Sequence, residues 1–282
     1  MSRRPLALLA FAALSAAGAV AVWLVALGVP RGRALDASAL EAFNGVARPP
    51  LSPSINGIAH LADPAPLMLG ALALVGIALW RQRPLLAIAV PAIILGANAT
   101  TQVLKPALAD VRLIELSHIQ SVYPGSWPSG HATAAMSLAL CAVLVAGPQL
   151  RALVALLGAG FAVAVGYALV VASWHLPSDV LGGYLVAATF ALAGAAAVAA
   201  LEARDPAQRT TAPEFTPALI GAPALAAIGA TVVAVGAVAV AARAPGMTLS
   251  ALEHPSGIVA GLGIAALGLA LTVGLAVALR SD

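Results

Sequence analysis

Runs of about 20 apolar residues, the length that crosses a bilayer, recur along this chain and leave little with which to build a water-facing surface. Of its 282 residues 61% are apolar and only 9% charged, with a mean hydropathy of +1.00. Soluble domains carry roughly 25% charged residues, so a soluble globular fold is excluded. Backbone groups in hydrocarbon must be satisfied within their own segment, which makes each run a helix. Eight spans are expected, at about 5–30, 64–80, 84–104, 129–147, 150–172, 179–200, 217–242 and 256–279. The second is the shortest, because Asp63 and Pro64 confine it, and it extends backwards through Ile55–Leu61 as an interfacial segment. The first is read as an uncleaved helix anchored by Arg3 and Arg4. The fold class is therefore all-α, a polytopic membrane bundle.

The net charge of +3 and the pI near 9.6 do not point to nucleic acid, because the bases are scattered singly between apolar runs. Cys141 is the only cysteine and lies inside an apolar run, which excludes disulfides within the chain and predicts a small buried residue. Eight spans put both termini on one side. With the N-terminus inside, Arg3, Arg4, Arg81, Arg83, Arg151, Arg204, Arg209 and Arg280 are cytoplasmic, against Arg31, Arg33, Arg48, Lys105, Arg112 and Arg243 outside. That bias follows the positive-inside rule. Trp127, Trp174, Tyr123 and Tyr184 are expected in an aromatic interface belt. Asn98, Thr100, Thr101 and Gln102 are expected to line a pocket or join helices.

Three polar clusters fall on the outer side in this topology: Lys105 with Arg112, Pro128-Ser129-Gly130-His131, and His175-Leu176-Pro177-Ser178-Asp179. Pro128 and Pro177 both suit the first turn of a helix, where a missing N–H costs nothing. Each would open a helix whose free N–H groups and positive dipole end form an anion site. Ser129 adds a hydroxyl, and Gly130 lets the backbone come close to a bound group. Two such helix ends, a lysine and an arginine around two histidines suggest a dianion such as phosphate. Phosphoryl transfer asks for charge stabilisation, a positioned nucleophile and a proton donor, and histidine can fill the last two roles. Asp179, four residues after His175, could accept from one ring nitrogen and leave the other free.

Taken singly these residues have ordinary readings: anchoring charges, a loop-to-helix boundary, a first-turn acid on a helix dipole. His131, His175 and Asp179 could also supply three ligands to zinc, but the positive surroundings favour an anion over a cation.

At these residues the chain resembles the type-2 phosphatidic acid phosphatase superfamily, which includes bacterial acid phosphatases and vanadium haloperoxidases. The first family motif is matched by Lys105 and Arg112 at the right spacing, with Leu113 where the family has proline. The second is intact at Pro128–His131. The third is matched at His175 and Asp179, followed by Val180-Leu181-Gly182-Gly183, while Ala168 and Leu169 stand where the family has Ser-Arg. The resemblance covers residues 52–200. It implies a six-helix phosphatase core over 1–200, with 201–282 adding a cytoplasmic loop and two further membrane helices.

The resemblance also implies roles. His175 would be a nucleophile forming phosphohistidine, Asp179 its orienting acid and His131 the proton donor. Lys105, Arg112, Ser129 and the Gly130 N–H would hold the phosphate oxygens, with no metal or cofactor. The arginine missing at Leu169 would be replaced by an outer arginine (Arg31, Arg33, Arg48 or Arg243), or the clamp would be weaker. The expected function is hydrolysis of a lipid phosphate or polyprenyl diphosphate at the extracytoplasmic face of a bacterial plasma membrane. Transfer of the phosphoryl group to a lipid or glycan acceptor and non-catalytic lipid binding or transport stand as alternatives. The expected partners are the lipid-borne substrate, membrane lipids and a second copy of the chain.

Overall fold

A computed structural model describes residues 3–44, 52–109, 125–204 and 255–280. Among them the chain forms nine helices and no strand. These are α1 (Arg3–Gly28), α2 (Pro30–Asn44), α3 (Ser52–His60), α4 (Pro64–Trp80), α5 (Pro84–Ala107), α6 (Gly130–Val145), α7 (Arg151–Val171), α8 (Pro177–Arg204) and α9 (Pro255–Ala278).

Hydrophobic burial sorts these helices into a centre and a rim. α6 and α8 form the centre; α8 packs against α1, α5, α6 and α9, and α6 also packs against α7. On α6 the residues from Ala132 to Val145 are nearly all buried, as expected of a helix that is apolar all round and enclosed by protein. Leu14 on α1, Leu69 and Leu72 on α4, Ile88, Leu95 and Val103 on α5, and Val259 and Leu262 on α9 stay exposed. An apolar rim of this kind suits lipid rather than water. α1 packs more extensively against α8 than any other helix does, so the N-terminal apolar run is built into the bundle.

Five described helices (α1, α5, α7, α8 and α9) are long and apolar enough to cross a membrane, and six if α3 and α4 count as one broken span bent by 49°. The break at residues 61–63 is where Asp63 and Pro64 stand, as the sequence suggested. α6 has 16 residues, about 24 Å at 1.5 Å per residue, which is shorter than a full span. The expected span at 217–242 lies outside the described residues. The count of eight is therefore not reached among the described residues.

The two ends of the bundle differ in chemistry. At one end Arg4, Arg81, Arg83 and Arg280 surround Arg151. There Arg83 pairs with Glu202 at 2.6 Å, and Arg151 donates to the carbonyls of Leu279 (2.9 Å) and Ala146 (3.4 Å). The opposite end collects the C-termini of α5 and α7 and the N-termini of α4, α6 and α8, with α2 packed against α7, α8 and α9. α8 ends at the arginine end, whereas α9 starts at the other.

The aromatic belt is not seen where it was expected. Tyr184 is fully buried and donates its hydroxyl to the carbonyl of Ala162; Trp127 is buried against Gly182, and Trp174 sits among histidines. Only for Tyr184 does the polar edge meet an interior partner; the Trp127 indole N–H is buried without one, and composition does not separate such interior rings from a belt. Tyr123 lies outside the described residues. Cys141 is a free, buried thiol.

Candidate active site

Ser129 has extended backbone geometry and caps α6: its hydroxyl accepts from the Ala132 N–H at 3.2 Å. Pro128 thus lies one residue before the cap rather than inside the first turn. The Ser129 N–H donates to the carbonyl of Asp179 at 2.9 Å, which joins the second and third motifs through the backbone. This approach depends on a glycine. A Cβ at Gly183 would stand 2.7 Å from the Ser129 carbonyl oxygen and 3.0 Å from Thr133 Oγ1. Thr133 Oγ1 donates to the Ser129 carbonyl at 2.8 Å and reaches that of Gly183 at 3.3 Å, so α6 and α8 touch nearly backbone to backbone.

His175 and Asp179 are brought together by the turn from α7 into α8. His175 Nδ1 lies 3.3 Å from Asp179 Oδ2, and the same oxygen accepts the Leu176 N–H at 3.0 Å. Both side chains are buried. A carboxylate fixed by a backbone donor cannot turn away from the imidazole, so the ring is held in one orientation.

The N-terminus of α8 is not open to an external anion, as the sequence suggested it would be. Asp36 on α2 occupies it, taking the Ser178 N–H at 3.0 Å and the Ser178 hydroxyl at 2.5 Å. A carboxylate there satisfies the same orphan N–H groups and the same dipole that would have drawn phosphate. Of the two expected anion sites, only the start of α6 remains.

The structure adds a residue that sequence reasoning passed over. His131 Nε2 donates to Asp63 Oδ1 at 3.0 Å, and His60 Nδ1 donates to Asp63 Oδ2 at 2.9 Å. Trp174 lies against both rings, 5.1 Å from His60 and 5.6 Å from His131 between centroids. The His131 and His175 rings are 6.4 Å apart. Burial works to raise the pKa of Asp63, but the hydrogen bonds and charges of His60 and His131 together hold it below the usual carboxylate value. A signal was present in the sequence: Asp63 precedes Pro64-Ala65-Pro66, on the same side as the other clusters.

Lys105, at the end of α5, brings its ammonium over the first turn of α6, 3.7 Å from where a Gly130 Cβ would stand. Gln102 Nε2 is 3.6 Å from the same point. Asn98, Thr100 and Thr101 instead bond carbonyls of their own helix and do not join the site. Arg112, Arg48 and Arg243 lie outside the described residues. Arg33 donates to the Leu27 carbonyl at 2.7 Å, within the α1–α2 turn. Leu169 is fully buried, and its carbonyl accepts from the N–H groups of Trp174 (3.0 Å) and His175 (3.4 Å). Among the described residues no three His, Cys, Asp or Glu side chains are grouped so as to hold a metal ion.

One end of the bundle thus gathers two histidines, each on its own aspartate, beside a capped helix start and a lysine. The family model described as the PAP2 superfamily matches residues 82–203, the stretch that holds Lys105, Ser129, Gly130, His131, His175 and Asp179. The match to that family model covers this stretch of the chain. Among solved structures the chain is similar to a transmembrane PAP2-type phosphatidylglycerolphosphate phosphatase from Bacillus subtilis. The two are 22% identical, with a TM-score of 0.51, over 72% of this chain and 97% of that one. At that identity the likeness speaks for the fold: this chain has the helical PAP2 membrane architecture. A search of curated proteins gives no match.

Proposed function

We propose that this protein is a membrane phosphatase that hydrolyses a lipid phosphate or polyprenyl diphosphate through a phosphohistidine intermediate. The observation that carries the reading is the facing pair of histidines, 6.4 Å apart between centroids, each bonded to a separate aspartate. That arrangement puts a nucleophile and a proton donor at one end of the bundle, beside the start of α6 and Lys105. With Nδ1 of His175 held by Asp179, Nε2 is the nitrogen left to attack phosphorus. The Gly130 N–H, the Ser129 hydroxyl, Lys105 and Arg112 stabilise charge on the non-bridging oxygens. As the P–O bond to the lipid breaks, His131 gives its proton to the departing oxygen. Water then attacks the phosphohistidine, His131 takes the water proton, and phosphate leaves with His175 restored.

The arginine-rich end of the bundle supports placing the site on the extracytoplasmic side, by the positive-inside rule. Phosphatidic acid, phosphatidylglycerophosphate and polyprenyl diphosphate are the candidate substrates, because a site at the ends of membrane helices meets lipid headgroups first. The test is phosphate release in detergent with excess EDTA across these lipids, comparing wild type with His175→Ala. Release that His175→Ala abolishes is the expected result. No release from any lipid by folded wild type would overturn the reading in favour of lipid binding without catalysis.

A further inference from the structure

We infer that Asp63 is the positioning residue of His131, held in turn by His60, so that the site works with two aspartate–histidine pairs rather than one. The kinetic part of this inference rests on the phosphatase reading above; the geometric part does not.

Asp63 stands at the N-cap of α4, in extended geometry with φ −64° and ψ 161°, and makes no side-chain cap bond to its own helix. An aspartate at this position ordinarily accepts from the N–H groups two and three residues on. Here Pro64 and Pro66 remove two of the first three helical donors. The carboxylate turns instead to two histidines and spends one oxygen on each. A fold that leaves its own helix uncapped in favour of side chains at a reactive site breaks a local rule where function is expected to break it.

The carboxylate is also fixed in place. The Asp63 N–H donates to the His60 carbonyl at 3.1 Å, while His60 Nδ1 returns a bond to the Asp63 side chain, which closes a small ring at the α3–α4 break. Trp174 packs on both imidazoles from the turn that carries His175.

The electrostatics give the arrangement a purpose. Three charged or titratable groups face His131: Asp63 from the α3–α4 break, His175 from the α7–α8 turn and Lys105 from α5. Burial opposes a proton on His131 most strongly and holds its pKa below the ordinary histidine value; His175 and Lys105 oppose it too, and Asp63 is the one group that favours it. A proton donor must be charged when substrate arrives, and Asp63 is the group that offsets burial and the Lys105 ammonium. It also holds Nε2–H, which leaves Nδ1–H as the proton given to the leaving oxygen.

The experiment combines nitrogen NMR of histidine-labelled protein in micelles, with His131 assigned by its loss in His131→Gln, and kinetics of Asp63→Asn. Neutral His131 in wild type should be the Nε2–H tautomer. In Asp63→Asn its pKa should fall by about one unit, the shift expected on losing an adjacent anion. Against a lipid phosphate, a poor alkoxide leaving group, Asp63→Asn should lower kcat roughly 10- to 100-fold, in keeping with a weakened general acid, with KM nearly unchanged. Against p-nitrophenyl phosphate, whose leaving group needs little protonation, it should stay within about threefold of wild type. The Nδ1–H tautomer in wild type would overturn the inference even if the variant failed to fold. So would an unmoved His131 pKa, or equal losses on both substrates. Wild type inactive on both substrates would sink the phosphatase reading alone, since the NMR result still decides the Asp63–His131 pairing.

Discussion

Replacing Gly183 with alanine should damage the site without touching any side chain in it. The added Cβ would stand 2.7 Å from the Ser129 carbonyl oxygen, 3.0 Å from Thr133 Oγ1 and 3.1 Å from the Ala132 Cβ. The nearest of these is backbone at a helix start, which cannot swing aside as a flexible side chain would. Roughly 0.5 Å or more of separation must be made between α6 and α8. Overpacking of this kind costs about 1–3 kcal/mol. The same displacement stretches the 2.9 Å bond from the Ser129 N–H to the Asp179 carbonyl, worth about 0.5–1.5 kcal/mol. It also moves His131 relative to His175, and misplacement by about 1 Å can cost on the order of 100-fold in rate. The control is Gly263→Ala on α9, where a Cβ meets nothing within 4 Å. That change should be neutral or stabilising by up to about 1 kcal/mol, the helix preference for alanine over glycine. Thermal unfolding in detergent and phosphate release would be measured on both variants. Gly183→Ala with wild-type Tm and wild-type turnover would refute the close-contact argument.

Asp36→Ala removes the carboxylate from the N-terminus of α8, where it accepts from the Ser178 N–H and hydroxyl. The expected loss is about 1–3 kcal/mol, read as a lower Tm, with activity falling because His175 and Asp179 lie at the same turn. The pH dependence follows from the sign of the Asp63 shift. Its folded pKa lies below the unfolded value, so it stabilises the fold above the ordinary aspartate range, and that stability is lost as pH falls through the folded pKa. The Tm gap between wild type and Asp63→Asn should therefore be full near neutrality and close in strong acid; a gap that widened on acidification would contradict the pairing. Excess EDTA should leave turnover unchanged, and loss of activity restored by a divalent metal would count against a metal-free histidine mechanism.

The helices were legible because hydrocarbon permits few alternatives. Alternating apolar runs and proline starts located α4, α5, α8 and α9 within a few residues, and the Asp63-Pro64 break gave the bend between α3 and α4. The pairing of His175 with Asp179 was equally visible, since four residues across a helix start bring the two side chains together. What could not be read were contacts between distant parts of the chain. Asp36 and Ser178 are 142 positions apart, and Asp63 and His131 are 68 apart. Neither aspartate belongs to a motif, and no local periodicity links them to their partners. The polar residues Asn98, Thr100 and Thr101 misled for the opposite reason. Short polar side chains in a membrane helix can bond the carbonyl three or four residues back, and these do, which removes the need for a partner across the bundle.

Leu169 brings these threads to one point. The family's third motif places an arginine there, but in this chain the side chain is fully buried in the apolar core. The backbone of the same residue keeps a task, holding the N–H groups of Trp174 and His175 and so the turn that presents the imidazole. Leu169 thus serves the turn through its backbone and offers no charge-assisted clamp, a contact worth a few kcal/mol in a transition state. Meanwhile His131 carries an aspartate of its own, braced by His60 and covered by Trp174. In the proposed mechanism the two features work in the same direction. With less positive charge on the non-bridging oxygens, breaking the P–O bond relies more on protonating the leaving oxygen, and that proton comes from the histidine whose charged form Asp63 favours. The dependence of rate on leaving group should accordingly be steeper in Asp63→Asn than in wild type. An equal slope in the two proteins would separate the absence of an arginine at Leu169 from the presence of Asp63 beside His131.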